Sequence, residues 1–283
     1  MRLGTMQGRL LPPYDGLFQS FPLSRWREEL PLAQQAGLDA IEWIYDSVSE
    51  DSNPLCTDAG LAEMAQLSEE HGIAIVSVCA DYFMEHPFLR VGTAEQEARI
   101  GKLLWLLDRS EQAGIKRIVL PFVDSSRIES KAEETQVVQI LSRVLSAAEK
   151  AGIELHLETS LGPTEFASLL ARLPHPFLKA NYDSGNSASL GYDATDEIAA
   201  YGERIGSVHI KDRVRGGGTV PLGSGNANIP VLLSELCRIG YKGDFVMQIA
   251  RELPGMELDW ITKNRELVAK QLQIAGFVTG ANR

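Results

Sequence analysis

The stretch Ala151–Asn186, AGIELHLETSLGPTEFASLLARLPHPFLKANYDSGN, carries one full unit of the architecture. Gly152 ends a preceding amphipathic segment, because glycine accepts the left-handed backbone that closes a helix. The run IELHLET then reads as a strand. Pro163–Leu173 reads as a helix, opened by GPTE, where proline suits the first helical position. FLKANYD is the next strand. Strand, crossover helix and parallel strand form a right-handed βαβ unit.

The same unit recurs toward both ends. Upstream, strands are expected at Arg2–Arg9, Leu38–Tyr45, Ile73–Asp81 and 115–123. The helices between and after them are Ser24–Ala36, with Ser24 as N-cap, Asp58–His71, Thr93–Ala113 and Ser130–Ala151. Downstream come a helix at Asp193–Tyr201, the strand IGSVHIKD, a helix at Ile229–Ile239, the strand DFVMQIA and a closing helix at Glu257–Ala275. Four helix–strand junctions repeat one pattern, AGL, HGI, AGI and AGI, beginning at Ala36, His71, Ala113 and Ala151. Eight units predict an α/β fold, a single (β/α)8 TIM barrel over residues 1–283. An open doubly wound sheet is the alternative, but no glycine-rich dinucleotide loop follows the first strand.

The chain has 283 residues, 44% of them hydrophobic and 23% charged, with a formal net charge of −11. That acidic balance argues against a nucleic-acid partner, which would require a basic stripe. The three cysteines, Cys56, Cys79 and Cys237, fit neither a metal knuckle nor a disulfide framework. The N-terminus lacks a signal-peptide core, and no window is long and apolar enough for a membrane span. A cytoplasmic enzyme without membrane attachment is the expectation.

Active groups of such a barrel sit where strands end and βα loops begin. Four consecutive strands end in a donor: Glu158 in LHLET, Asp183 in NYDSGN, His209 in VHIKD and Gln248 in VMQIA. Adjacent strands lie about 4.8 Å apart and their inward side chains converge. Two carboxylates, an imidazole and an amide carbonyl suit one divalent ion, Mn, Mg, Co or Zn. Asp183 before SGN also reads as a turn former, and His209 as a hydrogen-bonded core histidine. An inward Glu158 in an apolar strand demands a partner. His156 shares its face with Glu158 and reads as support one layer deeper.

In order and spacing these motifs, with AIEW at Glu42 and PLGSGNANIP at Pro221–Pro230, resemble the xylose-isomerase-like barrels. That group includes sugar-phosphate isomerases and epimerases such as ketose 3-epimerases, hydroxypyruvate isomerase and inosose-processing enzymes. The resemblance spans essentially the whole chain. It implies a divalent metal held by Glu158, Asp183, His209 and Gln248. It places Arg215 where related epimerases contact substrate oxygens, and adds Lys211, Asn186 and Glu42 as substrate-binding candidates. Barrels of this group also form homo-oligomers. Two positions depart from the ketose epimerases: Gln248 stands for a glutamate that serves as second acid/base, and Asn186 for a histidine.

The expected reaction removes a proton next to a carbonyl of a polyol or ketose substrate, through an enediolate, with Glu158 as base. One base suffices for aldose–ketose isomerisation. Epimerisation needs a second group, and Glu42, Asp81, Asp212 and Glu252 are the carboxylates to inspect. Arg9, Arg213, Arg215 and Arg251 are candidate partners for an anionic substrate. Gly216–Gly218 reads as a lid, and Tyr82 and Phe83 as a pocket wall. The rival readings are an inosose-type lyase, a lapsed metal-binding barrel, and an endonuclease of the multi-zinc type. Five histidines in all argue against the last.

Overall fold

The computed structural model describes residues 1–48 and 50–278. Eight parallel strands close into a barrel: β1 (Leu3–Met6), β2 (Ala40–Ile44), β3 (Ala74–Cys79), β4 (Arg117–Phe122), β5 (Glu154–Thr159), β6 (Leu178–Asp183), β7 (Ile205–Ile210) and, after a short ribbon, β10 (Phe245–Met247). The ribbon pairs β8 (Asp212–Arg213) with β9 (Thr219–Val220) in antiparallel register. Crossover helices α1 (Trp26–Gln35), α2 (Asp58–His71), α4 (Thr93–Gln112), α5 (Lys131–Ala151), α6 (Pro163–Ala171), α8 (Ala194–Tyr201), α9 (Ile229–Arg238) and α10 (Glu257–Ile274) surround it. Two short helices sit on the C-terminal face, α3 (Tyr82–Glu85) and α7 (Ser184–Leu190). The barrel expectation holds and the open sheet is excluded.

The glycine of each repeated junction ends its helix with positive φ: Gly37 at 70°, Gly72 at 65°, Gly114 at 72° and Gly152 at 64°. Only glycine adopts that region without strain. Several helix starts follow side-chain caps. Ser130 accepts from the Glu133 amide, and Asp193 from the amides of Thr195 and Asp196. Ser24 does not cap. Residues Leu23–Arg25 form a 3-10 turn, and α1 begins at Trp26 behind Arg25. The Arg25 amide donates to the Pro22 carbonyl at 2.8 Å and closes that turn ahead of the helix.

Apolar side chains fill the layer between strands and helices, among them Leu30, Leu103, Val137, Leu169, Leu233 and Val268, all fully buried. The barrel axis is polar instead. Thr5, Glu42, Ser77, His156, Asn181, Ser207 and His209 are each at most 3% exposed. Such groups are stable there only when hydrogen-bonded. The closing seam between β1 and β10 is fastened at both ends. Below, Asp244 accepts from the Arg2 amide at 2.7 Å and from Arg117 Nη2 at 2.6 Å. Above, the Arg251 guanidinium donates to the carbonyls of Gly8, Leu11 and Phe18 at 2.9, 3.0 and 2.8 Å. Among the described residues no helix is long and apolar enough to cross a membrane.

Candidate metal centre and active cavity

Strand register brings Glu158, Asp183 and His209 together. Asp183 on β6 stands beside His209 on β7, and the Gln248 amide donates to the Ile210 carbonyl, which continues that alignment past β10. One donor atom each from Glu158, Asp183 and His209 lie within 4.8 Å of one another, all buried. His209 Nδ1 is 3.6 Å from Glu158 Oε2 and 3.8 Å from Asp183 Oδ2.

Each donor is held by a second contact. Glu42 Oε1 accepts from His209 Nε2 at 2.7 Å, and Ser77 Oγ donates to Glu42 Oε2 at 2.5 Å. Glu42, expected at the substrate, is fully buried beneath the site and orients the imidazole so that Nδ1 faces the carboxylates. Asp183 Oδ1 caps α7 through the amides of Gly185 and Asn186, at 2.9 and 2.7 Å. The turn reading of Asp183 thus accounts for one oxygen. The other, Oδ2, is buried without a hydrogen-bond donor, with Lys211 Nζ 3.5 Å away. Asn181 Nδ2 donates to Glu158 Oε2 at 3.2 Å and lies 3.1 Å from His209 Nδ1. Ser207 Oγ donates to Asn181 Oδ1 at 2.6 Å and contacts His156 Nδ1 at 2.7 Å. His156 is the deeper support anticipated for it.

An orphaned carboxylate oxygen, a second carboxylate and a ring nitrogen aimed between them fit a hard divalent ion. Burial, then the Asp183 charge, lifts the Glu158 carboxyl to about 7. For Asp183, burial acts upward, but the Lys211 ammonium and His209 outweigh it and hold the carboxyl below its usual range. For His209, burial acts downward, but Glu42 and the other carboxylates hold the imidazolium well above its ordinary pKa.

Above these donors lies a cavity of about 140 Å³. Glu158, Asn186, Lys211, Arg213 and Gln248 form one wall, and Gln19 and Asp81 form another. Asn186 Nδ2 donates to Glu158 Oε1, while its Oδ1 accepts from Arg213 Nη1 at 2.8 Å. Lys211 Nζ donates to Gln248 Oε1 at 2.9 Å. Its stem crosses Gly185, where an added Cβ would come within 2.5 Å of Lys211 Cγ. The glycine of DSGN is therefore what lets Lys211 reach inward.

Other expectations separate here. Arg215 is exposed, outside the cavity lining, with its guanidinium against Gly191. Arg213 occupies the inward place. Arg251 and Arg9 serve the rim, Arg9 donating to Phe18 O and Gln19 Oε1. Asp212 is fully buried and accepts from the amides of Gly223, Gly225 and Ala227 at 2.8–2.9 Å, which fixes the PLGSGNANIP segment. Gly216–Gly218 is the ribbon turn, tied by Arg213 to the Gly217 carbonyl, not a free lid. Tyr82 and Phe83 lie in α3 and pack on Tyr45 and Phe88; Met84 is the α3 side chain that lines the cavity. Gln19 and Asn181 escaped the sequence reading. Gln19 lies in a loop with no pattern, whereas Asn181, two residues before Asp183 on the same face, was findable by alternation.

The family model of xylose isomerase-like TIM barrels matches residues 30–271. The chain belongs to this family. L-ribulose-5-phosphate 3-epimerase UlaE of Escherichia coli is 23% identical over 265 residues, covering 90% of this chain and 93% of its own. Among solved structures, the IolI protein with a bound zinc atom superposes with a TM-score of 0.78 at 18% identity, over 98% of this chain and 100% of the other. The D-allulose 3-epimerase of Methylomonas sp. in complex with D-allulose gives 0.70 at 18% identity, over 96% and 97%.

Proposed function

We propose that this xylose isomerase-like barrel is a divalent-metal-dependent isomerase or epimerase of a sugar, sugar phosphate or related polyhydroxy carbonyl compound, with Glu158 as base. The observation that carries the reading is the convergence of Glu158, Asp183 and His209, with Glu158 lining a polar cavity. Relatives named as sugar 3-epimerases support the reaction class. Glu158, Asp183 and His209 would hold the ion, with the Gln248 carbonyl as fourth donor. When bound, such an ion supplies positive charge that polarises a carbonyl and its neighbouring hydroxyl.

The chain's own groups do the rest. Glu158, which lines the cavity, takes a proton from carbon and returns it. Asn181 and Asn186 fix its two oxygens by donating one hydrogen bond to each. Lys211 and Arg213 present N–H donors toward the cavity, where hydroxyl or anionic oxygens of the substrate would sit.

The test is metal analysis of the purified protein, then ¹H NMR in D₂O with D-allulose and L-ribulose 5-phosphate. Bound Mn²⁺ or Zn²⁺ and washout of a carbon-bound proton are expected, with washout falling at least about 100-fold in Glu158→Gln. A wild-type protein that binds no divalent ion and exchanges no proton with either sugar would overturn the proposal.

A further inference from the structure

Inversion at one carbon requires proton transfer on two faces, and the amide of Gln248 cannot exchange a proton. Of the carboxylates inspected, Glu42 is sealed beneath the site, Asp212 is consumed by three backbone amides, and Glu252 is exposed outside the cavity lining. Asp81 remains. It follows β3, two strands from Glu158 around the barrel, and its carboxylate lines the same cavity from the wall it shares with Gln19. We propose that Asp81 is the second proton-transferring group, serving the face of the substrate carbon opposite the one Glu158 serves. The inference rests on the isomerase or epimerase reading above.

A chain of amides connects the lost group to its replacement. Gln248 Oε1 accepts from Lys211 Nζ, so its Nε2 is free to donate to Gln19 Oε1, at 2.8 Å. Arg9 Nη2 donates to that same Gln19 oxygen at 3.0 Å. Two donors on Oε1 fix the Gln19 amide, and its Nε2 donates to Asp81 Oδ2 at 2.7 Å. The Cys79 thiol donates to Asp81 Oδ1 at 3.1 Å. A glutamate at 248 would set a carboxylate against Gln19 Oε1. Gln19 would then turn its oxygen toward Asp81 and withdraw the donor. The glutamine at 248 thus both forfeits a base and holds another one in place.

Asp81 also meets the chemical requirement. It is 5% exposed, and burial lifts its carboxyl to about 6, opposed by the Gln19 and Cys79 hydrogen bonds. The charges that bear on it are Arg9 from the β1–α1 loop, Asp46 and Glu42 from β2 and its loop, and Glu158 from β5. In the forward step the C–H bond breaks, its proton passes to the Glu158 carboxylate, and the electron pair moves into the enediolate. Asp81, entering protonated, then gives its proton to the other face of the same carbon. The carbonyl re-forms, Glu158 is left protonated and Asp81 ionised. The reverse turnover, or exchange with water, restores both.

The experiment separates exchange from inversion. Wild type, Asp81→Asn and Glu158→Gln are incubated in D₂O with D-allulose and L-ribulose 5-phosphate, and C3–H washout and epimer formation are read separately by NMR. Each sugar is also offered as its C3 epimer. Asp81→Asn is expected to keep washout from the epimer whose C3–H faces Glu158, within a few-fold, while inversion falls at least about 100-fold. Equal inversion by Asp81→Asn and wild type overturns the inference and leaves the functional reading standing. A wild type inert toward both sugars overturns both. A folded Asp81→Asn that loses washout from both epimers of a sugar also overturns the inference, since it assigns washout from one of them to Glu158. In the metal-free, sugar-free protein, the ¹³C carboxyl signal of Asp81 should titrate well above the usual aspartate range. It should titrate higher still in Gln19→Ala, which removes a donor to the charged form. An ordinary titration overturns the inference without any turnover.

Discussion

Replacing Glu42 by glutamine isolates the group that aims the candidate metal ligand. Glu42 touches neither cavity nor solvent, and its oxygens are taken by His209 Nε2, at 2.7 Å, and Ser77. The glutamine keeps one acceptor for Nε2 but loses the charge, and its NH₂ faces a serine oxygen that must rotate to accept. A charge-assisted hydrogen bond contributes about 1.5–3 kcal/mol and a neutral one about 0.5–1.5, so the imidazole loses roughly 1–2 kcal/mol of orientation and basicity. That corresponds to about a 10-fold loss of divalent-ion affinity, at the lower end of the roughly 10–100-fold usual for groups that brace a metal-binding histidine. Titration calorimetry with Mn²⁺ at one pH, on metal-free wild type and Glu42→Gln, reads this directly. An unchanged Kd, with a melting curve certifying the fold, would refute the claim that Glu42 sets the direction of Nδ1.

Asp212→Asn should lower stability by about 2–4 kcal/mol, because the amide forfeits at least one of three charge-assisted bonds to backbone N–H groups; urea unfolding measures it, and a shift under 0.5 kcal/mol contradicts the anchoring role. Glu29 is fully buried, accepts from the Gly8 amide, and has its carboxyl lifted by burial to about 8 from an ordinary 4.5. Between those pH values the folded chain keeps a proton that the unfolded chain has released, so stability declines as pH rises through that window. Glu29→Gln should therefore gain on wild type by roughly 2–4 kcal/mol between pH 5 and pH 8, read by melting curves at both; a gap constant with pH contradicts it. Gly185→Ala should displace the Lys211 stem, lower the melting temperature and at least double KM for any substrate found; an unaltered KM speaks against that close approach.

The barrel was legible because its signals are local. Glycine at four helix ends and apolar runs between them appear in the sequence where the structure uses them. The convergence of Glu158, Asp183 and His209 was legible because strand ends are countable and barrel register aligns them. The sequence could not give the partner of each group. Glu42 lies 167 residues from the histidine it orients, and Gln19 lies 229 residues from Gln248. Whether a loop arginine points in, as Arg213 does, or out, as Arg215 does, depends on the two-residue ribbon around it. The short helices α3 and α7 fell below the length at which periodicity can be read.

The Arg251 guanidinium draws in three carbonyls from the opening loop, and the strand before it closes the cylinder. During synthesis, everything up to β7 therefore leaves the ribosome as an unclosed sheet, with the first strand lacking a neighbour on one side. Gln248, Arg251 and the Gln19 alignment they impose arrive together, after β7. Until they arrive, Gln19 lacks the amide that fixes it, and Asp81 lacks the donor that Gln19 aims at it.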